Sequence, residues 1–416
     1  MGVRSTSGAD ATRSGRWLGV WNSATTSYYL LLISSISLVI LGLIMVLSAS
    51  SVESLNSGGS AYGIFQRQAM FAVLGGVIMV VAARVPTTWV KKNAALGLVL
   101  GIAMQSLVLT PLGVSRLGNT NWIQIPGTTV TLQPSEFMKV ALCVFLGTAI
   151  SRKLMTSKEW IHVLLPSLTM SAFAVGFVIL GNDLGTAMVY ILMIAGALLV
   201  ADIPMKWFAS AGVIAAIVVA ILALVSDNRM GRIMATYDSQ CDSSDLCYQV
   251  TRGLEALGSG GLTGVGLGAS SEKWAYLPEA QNDFIFAIIG EELGFLGALL
   301  VIVLFAALGI GMMRVVIRHE DPMVKISTAA IAAWILGQAI FNIGVVTRIF
   351  PVIGVPLPFV SAGGSALIAT MLAIGLVLGF ARTEPGAHDA FARKPSVVRK
   401  TAAIVARSTR SISRRS

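Results

Sequence analysis

The stretch that decides the fold is FIFAIIGEELGFLGALLVIVLFAALGIGMM, residues 284–313. Its 30 positions hold only two charged residues, Glu291 and Glu292. About 20 apolar residues are enough for a helix to cross the hydrocarbon of a bilayer. Lipid offers no hydrogen-bond partner to free N–H and C=O groups, so a spanning stretch must be helical. We therefore interpret this stretch as a membrane-spanning helix.

Nine further apolar stretches lie along the chain, at 28–50, 69–83, 94–110, 135–150, 161–180, 184–201, 207–225, 326–347 and 362–381. The 416 residues are 55% hydrophobic and only 12% charged, whereas a soluble domain has roughly 25% charged residues. This composition excludes an ordinary soluble enzyme, a disordered chain and a nucleic-acid-binding domain, so we expect no nucleic-acid partner. The sequence predicts an all-α polytopic membrane protein with about ten transmembrane helices.

Lysine and arginine residues orient the predicted bundle. When the first tail is placed in the cytoplasm and the spans alternate, 22 of the 30 Lys and Arg residues fall in inner segments and 7 in outer ones. This bias follows the positive-inside rule. We expect both termini to be cytoplasmic, with an N-terminal tail over 1–27, the membrane domain over 28–382 and a basic tail over 383–416. A large, structured extracytoplasmic loop, about 226–283, separates spans seven and eight.

That predicted outer loop is rich in glycine, within Gly258–Gly261 and again within Gly264–Gly268, and it ends with Tyr276–Asp283. Glycine permits positive φ and a close approach of backbone to backbone or ligand. A flexible linker is the alternative. Trp274 and Leu277 would be costly to leave in water, so we favour an ordered loop that is re-entrant or packed on the surface.

Acidic residues stand at or inside predicted helices. Asp283 directly precedes the apolar run that begins at Phe284, and Asp183 begins the sixth span in the same way. N-capping is the common structural role of such an aspartate, and it stays open for both residues. Glu291 and Glu292 lie inside a predicted span, where ionisable groups are expensive and are candidates for function.

Two other polar features are predicted at the outer surface, a charged pair in the fourth span and the last outer loop. Glu136 and Lys139 are three residues apart on one helical face, where mutual neutralisation is the simplest role. The last outer loop, Pro351–Ser365, has three prolines and three glycines, and irregular backbone at membrane depth is tolerated when it lines a cavity. Its helix start at Gly363–Ser365 offers N–H groups suited to a phosphate. We expect a polar cavity for a lipid with a charged head group.

The same residues resemble the SEDS family (shape, elongation, division and sporulation) of FtsW-type and RodA-type cell-wall polymerases, over roughly 28–382. The matching segments are Gln133–Glu136 with Lys139, Asp183–Thr186, Gly258–Gly261, Tyr276–Glu279, Asp283–Phe286, Gly290–Gly294, Asn342, Pro356–Pro358, Ser361 and Gly363–Ser365. Departures are Asn121, Asn182, Gln281, Ala362 and Arg348, where the family more often has Arg, Pro, His, Tyr and a small residue.

The resemblance implies a peptidoglycan glycosyltransferase that polymerises lipid II into β-1,4-linked strands, with inversion and with undecaprenyl pyrophosphate as leaving group. It implies Asp283 as the catalytic base. Substrate-binding roles fall on Glu136, Lys139, Trp122, Asp183, Ser259, Glu279, Glu292, Asn342, Ser361, Gly363, Gly364 and Ser365. Lys139, Arg252 or a divalent cation, Mg²⁺ or Mn²⁺, held with the substrate pyrophosphate, would offset the leaving-group charge. We expect no all-protein metal site and no organic cofactor.

By the same resemblance, the chain works on the outer face of the bacterial cytoplasmic membrane with a class B penicillin-binding protein transpeptidase and other divisome membrane proteins. The segment Ser361–Gly364 and the tails favour the division branch, and hence the septum, over the elongation branch. A lipid II flippase is an alternative, which would need ionisable residues along the whole crossing path. A non-catalytic scaffold is a third class.

Two of the three cysteines, Cys241 and Cys247, lie in the predicted outer loop, where oxidation is allowed. We expect them to form a disulfide, with two unpaired thiols as the alternative. Cys143 lies in the fourth span and is expected to be a free, buried thiol.

Overall fold

The computed structural model describes residues 23, 25–56, 60–116, 119–124, 127–128, 131–156, 160–224, 227–237, 245–270, 277 and 280–387. Over these ranges the chain forms twelve α-helices and one small sheet. Ten helices coincide with the ten predicted apolar stretches: α1 (Thr25–Asn56), α2 (Gly63–Ala82), α3 (Thr87–Ser106), α4 (Pro134–Thr156), α5 (Trp160–Leu180), α6 (Leu184–Val200), α7 (Met205–Leu224), α10 (Ile285–Arg318), α11 (Pro322–Val346) and α12 (Gly364–Arg382). The other two, α8 (Asp227–Tyr237) and α9 (Asp245–Ser259), lie in the predicted outer loop.

A three-stranded antiparallel sheet separates α3 from α4. Its strands, in the order β1-β2-β3, are β1 (Gly113–Arg116), β2 (Asn119–Gln124) and β3 (Thr131–Leu132). Val114 pairs with Trp122, and Ile123 pairs with Leu132. The β-branched Val114 and Ile123 and the aromatic Trp122 suit a pleated surface. The fold is therefore mostly helical, and the all-α prediction missed this sheet.

Seven of the described helices are long and apolar enough to cross a membrane, namely α1, α2, α3, α4, α10, α11 and α12. Shorter apolar stretches, Leu164–Leu180 and Leu184–Val200, occupy α5 and α6. The chain is thus a multi-pass membrane protein. The count of ten spans stays a prediction.

Helices α4, α11 and α12 lie at the centre of the bundle, and small residues let α3, α4 and α11 approach closely. A Cβ built on Gly147 of α4 would lie 2.0 Å from Ser327 Oγ of α11. One built on Gly101 of α3 would lie 3.2 Å from the Cα of Met138. Packing through small residues is typical of helices in membranes. The face of α4 that carries Lys139 is thereby held against α11.

Helix α10 is broken at Gly294, where φ is 67°. A glycine-rich loop, residues 260–268, fills the break. The N–H groups of Val265 and Gly266 donate to the carbonyls of Glu291 and Glu292, at 3.0 and 3.1 Å. Carbonyls of the same loop accept from the first N–H groups beyond the break. The loop therefore caps both halves of α10, whose terminal backbone groups would otherwise lack partners.

Gly264→Ala should disrupt this break, because a Cβ at Gly264 would lie 2.1 Å from the Glu292 carbonyl oxygen. We expect a loss of thermal stability equivalent to about 2–4 kcal/mol, the range of a severe backbone clash. Gly266→Ala is the matched control, since Gly266 also has positive φ but has open space where its Cβ would stand. Equal destabilisation by the two variants, measured by thermal unfolding in detergent, would contradict the proposed fit.

At the far end of α10, the ends of α1, α10, α11 and α12 are joined by polar contacts. Glu384 is buried, and its Oε2 accepts from Ser27 Oγ and contacts Arg318 Nε, both at 3.3 Å. Burial raises the pKa of the Glu384 carboxyl above its ordinary value, and these two partners oppose that rise. His319 Nδ1 accepts from the Asp321 N–H at 3.0 Å. Burial lowers the pKa of His319.

Candidate active site

A cavity of about 760 Å³ opens among eight helices and strands, the residues just before α10 and the segment that leads into α12. The eight elements are α2, β2, β3, α4, α6, α8, α9 and α11. Eight of the residues singled out in the sequence line it: Trp122, Glu136, Lys139, Asp183, Asp283, Gly363, Gly364 and Ser365. They come from helices and loops that are distant in sequence. The expected polar cavity is therefore present, at the end of the bundle where α10 begins.

Glu136 and Lys139 form a buried ion pair on the first turns of α4. The Lys139 Nζ lies 2.9 and 2.8 Å from the two carboxylate oxygens, and both side chains are almost wholly buried. The same ammonium donates to Gln338 Oε1 at 3.1 Å and stands 4.7 Å from the centre of the Trp334 ring. Gln338 Nε2 in turn donates to the Pro356 carbonyl at 2.8 Å. The pair thus neutralises itself and supports a cavity wall.

Asp183 caps α6. Its Oδ1 accepts from the Thr186 N–H at 2.8 Å, and its Oδ2 accepts from the Thr186 hydroxyl at 2.7 Å. Asn121 of β2 donates to the same Oδ2 at 2.7 Å, and Asn121 Oδ1 accepts from Gln105 at 3.1 Å. Asp183 therefore fills the capping role left open by the sequence and lines the cavity as well. The polar chain through Asn121 also fixes the strand that carries Trp122.

Asp283 lies just outside α10, one residue before Phe284, the N-cap residue. The side chain of Asp283 is half-buried at the cavity wall. Its backbone carbonyl accepts from Asn342 Nδ2 at 2.8 Å, and Ser361 Oγ donates to the preceding carbonyl, of Asn282, at 2.6 Å. Gly354 is a neighbour of the carboxylate, since a Cβ built on it would lie 3.6 Å from Asp283 Oδ2, an ordinary van der Waals contact. Long-range contacts thus hold the backbone that carries this carboxylate.

The segment Pro356–Ser365 is held by the side chain of Gln68 and by the backbone N–H of Gln133. Gln68 of α2 donates to the Ser361 carbonyl at 3.2 Å and accepts from the Gly363 N–H at 3.1 Å. Ser365 Oγ accepts from the Gln133 N–H at 3.1 Å. The Gly363 N–H that the sequence offered to a phosphate is therefore bonded to protein.

Four of the predicted substrate-binding residues lie outside the cavity lining. Asn342 and Ser361 sit behind it and hold the backbone around Asp283. Glu292 accepts from Ser48 Oγ of α1 at 2.6 and 2.7 Å, so it joins helices instead. Ser259 bonds the Ala256 carbonyl at the end of α9. Glu279 and Cys241 fall outside the described residues, and the side chain of Cys247 is not described.

The structure adds cavity residues to which the sequence gave no role. Two are cations, Arg67 of α2 and Arg232 of α8. Several are amides: Gln68, Gln133, Gln249, Gln281, Asn282 and Gln338. The polar triplet at 66–68, directly before the apolar stretch 69–83, was the available signal for Arg67. Arg252, a sequence candidate for leaving-group contact, pairs with Glu255 at 2.9 Å on the outer side of α9 and is absent from the cavity lining.

Comparison with known proteins identifies the family of the chain. The family model FTSW_RODA_SPOVE, described as "Cell cycle protein", matches residues 28–385, well over half of the chain. The chain belongs to this family. The resemblance read from the sequence is therefore confirmed, and the matched range agrees with the span of the helical bundle.

Curated relatives of the family share about a third of the sequence. The chain is 37% identical over 379 residues to a Mycobacterium tuberculosis protein named "Probable peptidoglycan glycosyltransferase FtsW", covering 90% of this chain and 71% of that one. It is 35% identical over 353 residues to the identically named protein of Halomonas elongata, covering 84% and 88%. Both names place the relatives in the FtsW branch.

Solved structures of the family have the same fold. The crystal structure of the Rod shape determining protein RodA of Thermus thermophilus superposes with a TM-score of 0.63 at 22% identity, covering 85% of this chain and 96% of that one. A chain from a structure entitled "Structural coordination of polymerization and crosslinking by a peptidoglycan synthase complex" gives a TM-score of 0.68 at 22% identity, with the same coverage.

Proposed function

We propose that this chain is a peptidoglycan glycosyltransferase that polymerises lipid II into β-1,4-linked glycan strands. The observation that carries the proposal is Asp283, a half-buried carboxylate on the wall of a polar cavity, with the backbone on either side of it fixed by Asn342 and Ser361. A positioned carboxylate can act as a general base. The names of the curated relatives support the same activity.

In the proposed reaction Asp283 takes the proton from the 4-hydroxyl of the acceptor GlcNAc. That oxygen forms a bond to the anomeric carbon of the donor sugar from the face opposite its pyrophosphate. The bond from the anomeric carbon to the phosphate oxygen breaks, and undecaprenyl pyrophosphate leaves with the electron pair. Attack from the opposite face inverts the α-linkage into a β-linkage.

The charge that develops on the pyrophosphate needs cations or N–H donors. Lys139 is a poor source, because it is buried and already paired with Glu136. Arg252 is paired outside the cavity lining. Arg67 and Arg232, which both line the cavity, are the groups that we propose for this contact.

A divalent cation bound together with the pyrophosphate stays a proposal. The described part of the chain holds no group of three or more His, Cys, Asp or Glu side chains that could bind a metal. Glu136 is committed to Lys139, and Asp183 to Thr186 and Asn121. Such an ion would depend mainly on phosphate oxygens of the substrate, and no step above requires it.

We further propose ten spans with both termini in the cytoplasm, which places the cavity on the outer side of the membrane. The charge bias of the sequence supports this topology. The FtsW names of the relatives support a septal role, with other divisome membrane proteins as neighbours, over the RodA-type role. The fold neighbour from a synthase complex of polymerisation and crosslinking supports a class B penicillin-binding protein as partner.

A polymerisation assay tests the proposed activity. The purified chain is mixed with its cognate transpeptidase and labelled lipid II, and the products are separated by size. We expect glycan polymer. A flippase would instead move labelled lipid II across liposomes and make no polymer, and a scaffold would do neither. The clustering of the described polar lining at one end of the bundle favours the polymerase over the flippase.

The predicted Cys241–Cys247 disulfide has its own test. A membrane-impermeant maleimide should label intact cells at these two positions only after reduction, and Cys143, which is fully buried, should stay unlabelled in the folded protein. A ring this small should stabilise the loop by roughly 2 kcal/mol. Labelling of both cysteines without reductant would refute the bridge, and labelling from the cytoplasmic side alone would refute the topology.

A further inference from the structure

The glycine-rich loop that fills the break in α10 exposes apolar side chains. Leu262, Val265 and Leu267 are exposed by 71, 48 and 60%. Beside them, just beyond the break, Phe295 and Leu296 of α10 are exposed by 57 and 58%. Residues 256–270 carry no charge. A contiguous apolar surface of this kind marks a contact with another apolar body.

We propose that this loop is a re-entrant element, whose apolar face, Leu262, Val265 and Leu267, contacts the acyl chains of the outer leaflet. The face continues directly into the exposed side of α10. That helix is apolar enough to cross a membrane, and only 28% of its most apolar 18-residue window is buried within the bundle. The surface of such a helix that no protein covers faces lipid, and the loop extends that surface.

Backbone hydrogen bonding makes the loop compatible with lipid, where an irregular backbone is costly unless its polar groups have partners. The N–H groups of Gly264, Val265 and Gly266 donate to the carbonyls of Gly260, Glu291 and Glu292, at 2.8–3.1 Å. The Gly261 and Leu262 carbonyls accept from the N–H groups of Phe295 and Leu296, at 2.9 and 3.2 Å. The loop thus hides its main chain against the broken helix and turns its side chains outward.

Glycine makes this close approach feasible. A Cβ on Gly260 would lie 1.9 Å from the Gly290 carbonyl oxygen, and one on Gly294 would lie 2.3 Å from the Gly264 nitrogen. With no side chains between them, the loop and the helix backbones come within hydrogen-bonding distance. The glycines therefore allow the loop to pack against the broken helix, and they do not indicate a flexible linker.

The depth of the loop agrees with the outer edge of the hydrocarbon. Beyond Glu292 the next charged residue on α10 is Arg314. At 1.5 Å per residue, Phe295 lies about 28 Å from Arg314 along the helix axis. The hydrocarbon of a bilayer is about 30 Å thick. With Arg314 at one boundary, Phe295 and the adjoining loop lie at the other.

Spin-label accessibility in liposomes tests this contact. The background is the full chain with Cys241→Ser and Cys247→Ser, in which the buried Cys143 is kept. One cysteine is then introduced for labelling with a nitroxide, by Leu262→Cys in one variant and by Leu267→Cys in another. Both test side chains are exposed, so the substitutions disturb little packing. Val303→Cys on exposed α10 is the lipid control, and Glu255→Cys on exposed α9 is the water control. For each nitroxide we compare the relaxation caused by oxygen, which partitions into lipid, with the relaxation caused by a water-soluble nickel chelate.

We expect the oxygen-to-nickel ratio at both test sites to lie nearer the Val303→Cys value than the Glu255→Cys value. A ratio nearer the Glu255→Cys value at both sites would overturn the proposal, because the face would then be bathed in water and free to dock a protein. The test needs no catalytic turnover. Its outcome is therefore independent of the polymerase assignment.

Discussion

Asp283→Asn should abolish glycan polymerisation while the protein stays folded and inserted. Asparagine keeps the shape of the side chain and the backbone contacts from Asn342 and Ser361, but it cannot take a proton. Loss of a general base costs about 10²–10⁴-fold in rate. We expect polymer formation from labelled lipid II to fall by at least about 100-fold, with an unchanged thermal unfolding midpoint.

The control is Asp321→Asn, which changes an aspartate at the far end of α10 that caps α11 and pairs with Lys91. This variant should polymerise normally, because asparagine is also a good N-cap. If Asp283 served only the start of α10, its asparagine variant would likewise be nearly neutral. Near-normal polymer from Asp283→Asn would therefore refute the catalytic assignment.

The buried pair Glu136–Lys139 should show strong coupling. Lys139→Met leaves the Glu136 carboxylate in a site that is 2% exposed, without its cation. Removing one partner of a buried ion pair typically costs about 3–5 kcal/mol in stability. Glu136→Gln should harm the protein for the same reason, through the stranded ammonium. The double variant should cost less than the sum of the two single variants.

Activity should fall along with stability in both single variants. Lys139 orients Gln338, and Gln338 holds the Pro356 carbonyl in the segment that brings Gly354 beside Asp283. Thermal unfolding of the four proteins in detergent gives the coupling energy, which we expect to be about 1–3 kcal/mol for residues in contact. Simple additivity would show that the two side chains do not act as a unit. Lys91→Met, which removes the partly exposed partner of Asp321, is a matched control and should cost about 1 kcal/mol or less.

The sequence alone located the helices well. All ten apolar stretches are helical, because hydrocarbon leaves the backbone no other way to satisfy its polar groups. The spacing of Glu136 and Lys139 predicted their shared face, since residues three apart are neighbours on any helix. Asp183 was recognised as a capping candidate for the same local reason.

Other features depended on contacts between residues that are far apart in the chain. Arg67 and Gln68 belong to a short polar segment before an apolar stretch, and Gln338 lies inside another apolar stretch. Their shared role is visible only once α2 and α11 meet at the cavity. Glu292 was expected to contact substrate, whereas it bonds Ser48, which is 244 positions away. The sequence around a buried glutamate does not show whether its side chain contacts substrate or bonds another helix.

Local pattern fixed the secondary structure of this protein, because helix formation in lipid depends on the composition of one segment at a time. Tertiary structure decided the break in α10. Gly294 takes a positive φ there only because a separate loop supplies the missing hydrogen-bond partners. It likewise placed Asp283 at the cavity wall, where Asn342 and Ser361 hold the neighbouring backbone from distant elements. A hydrogen bond across tens or hundreds of residues leaves no periodic trace in the sequence.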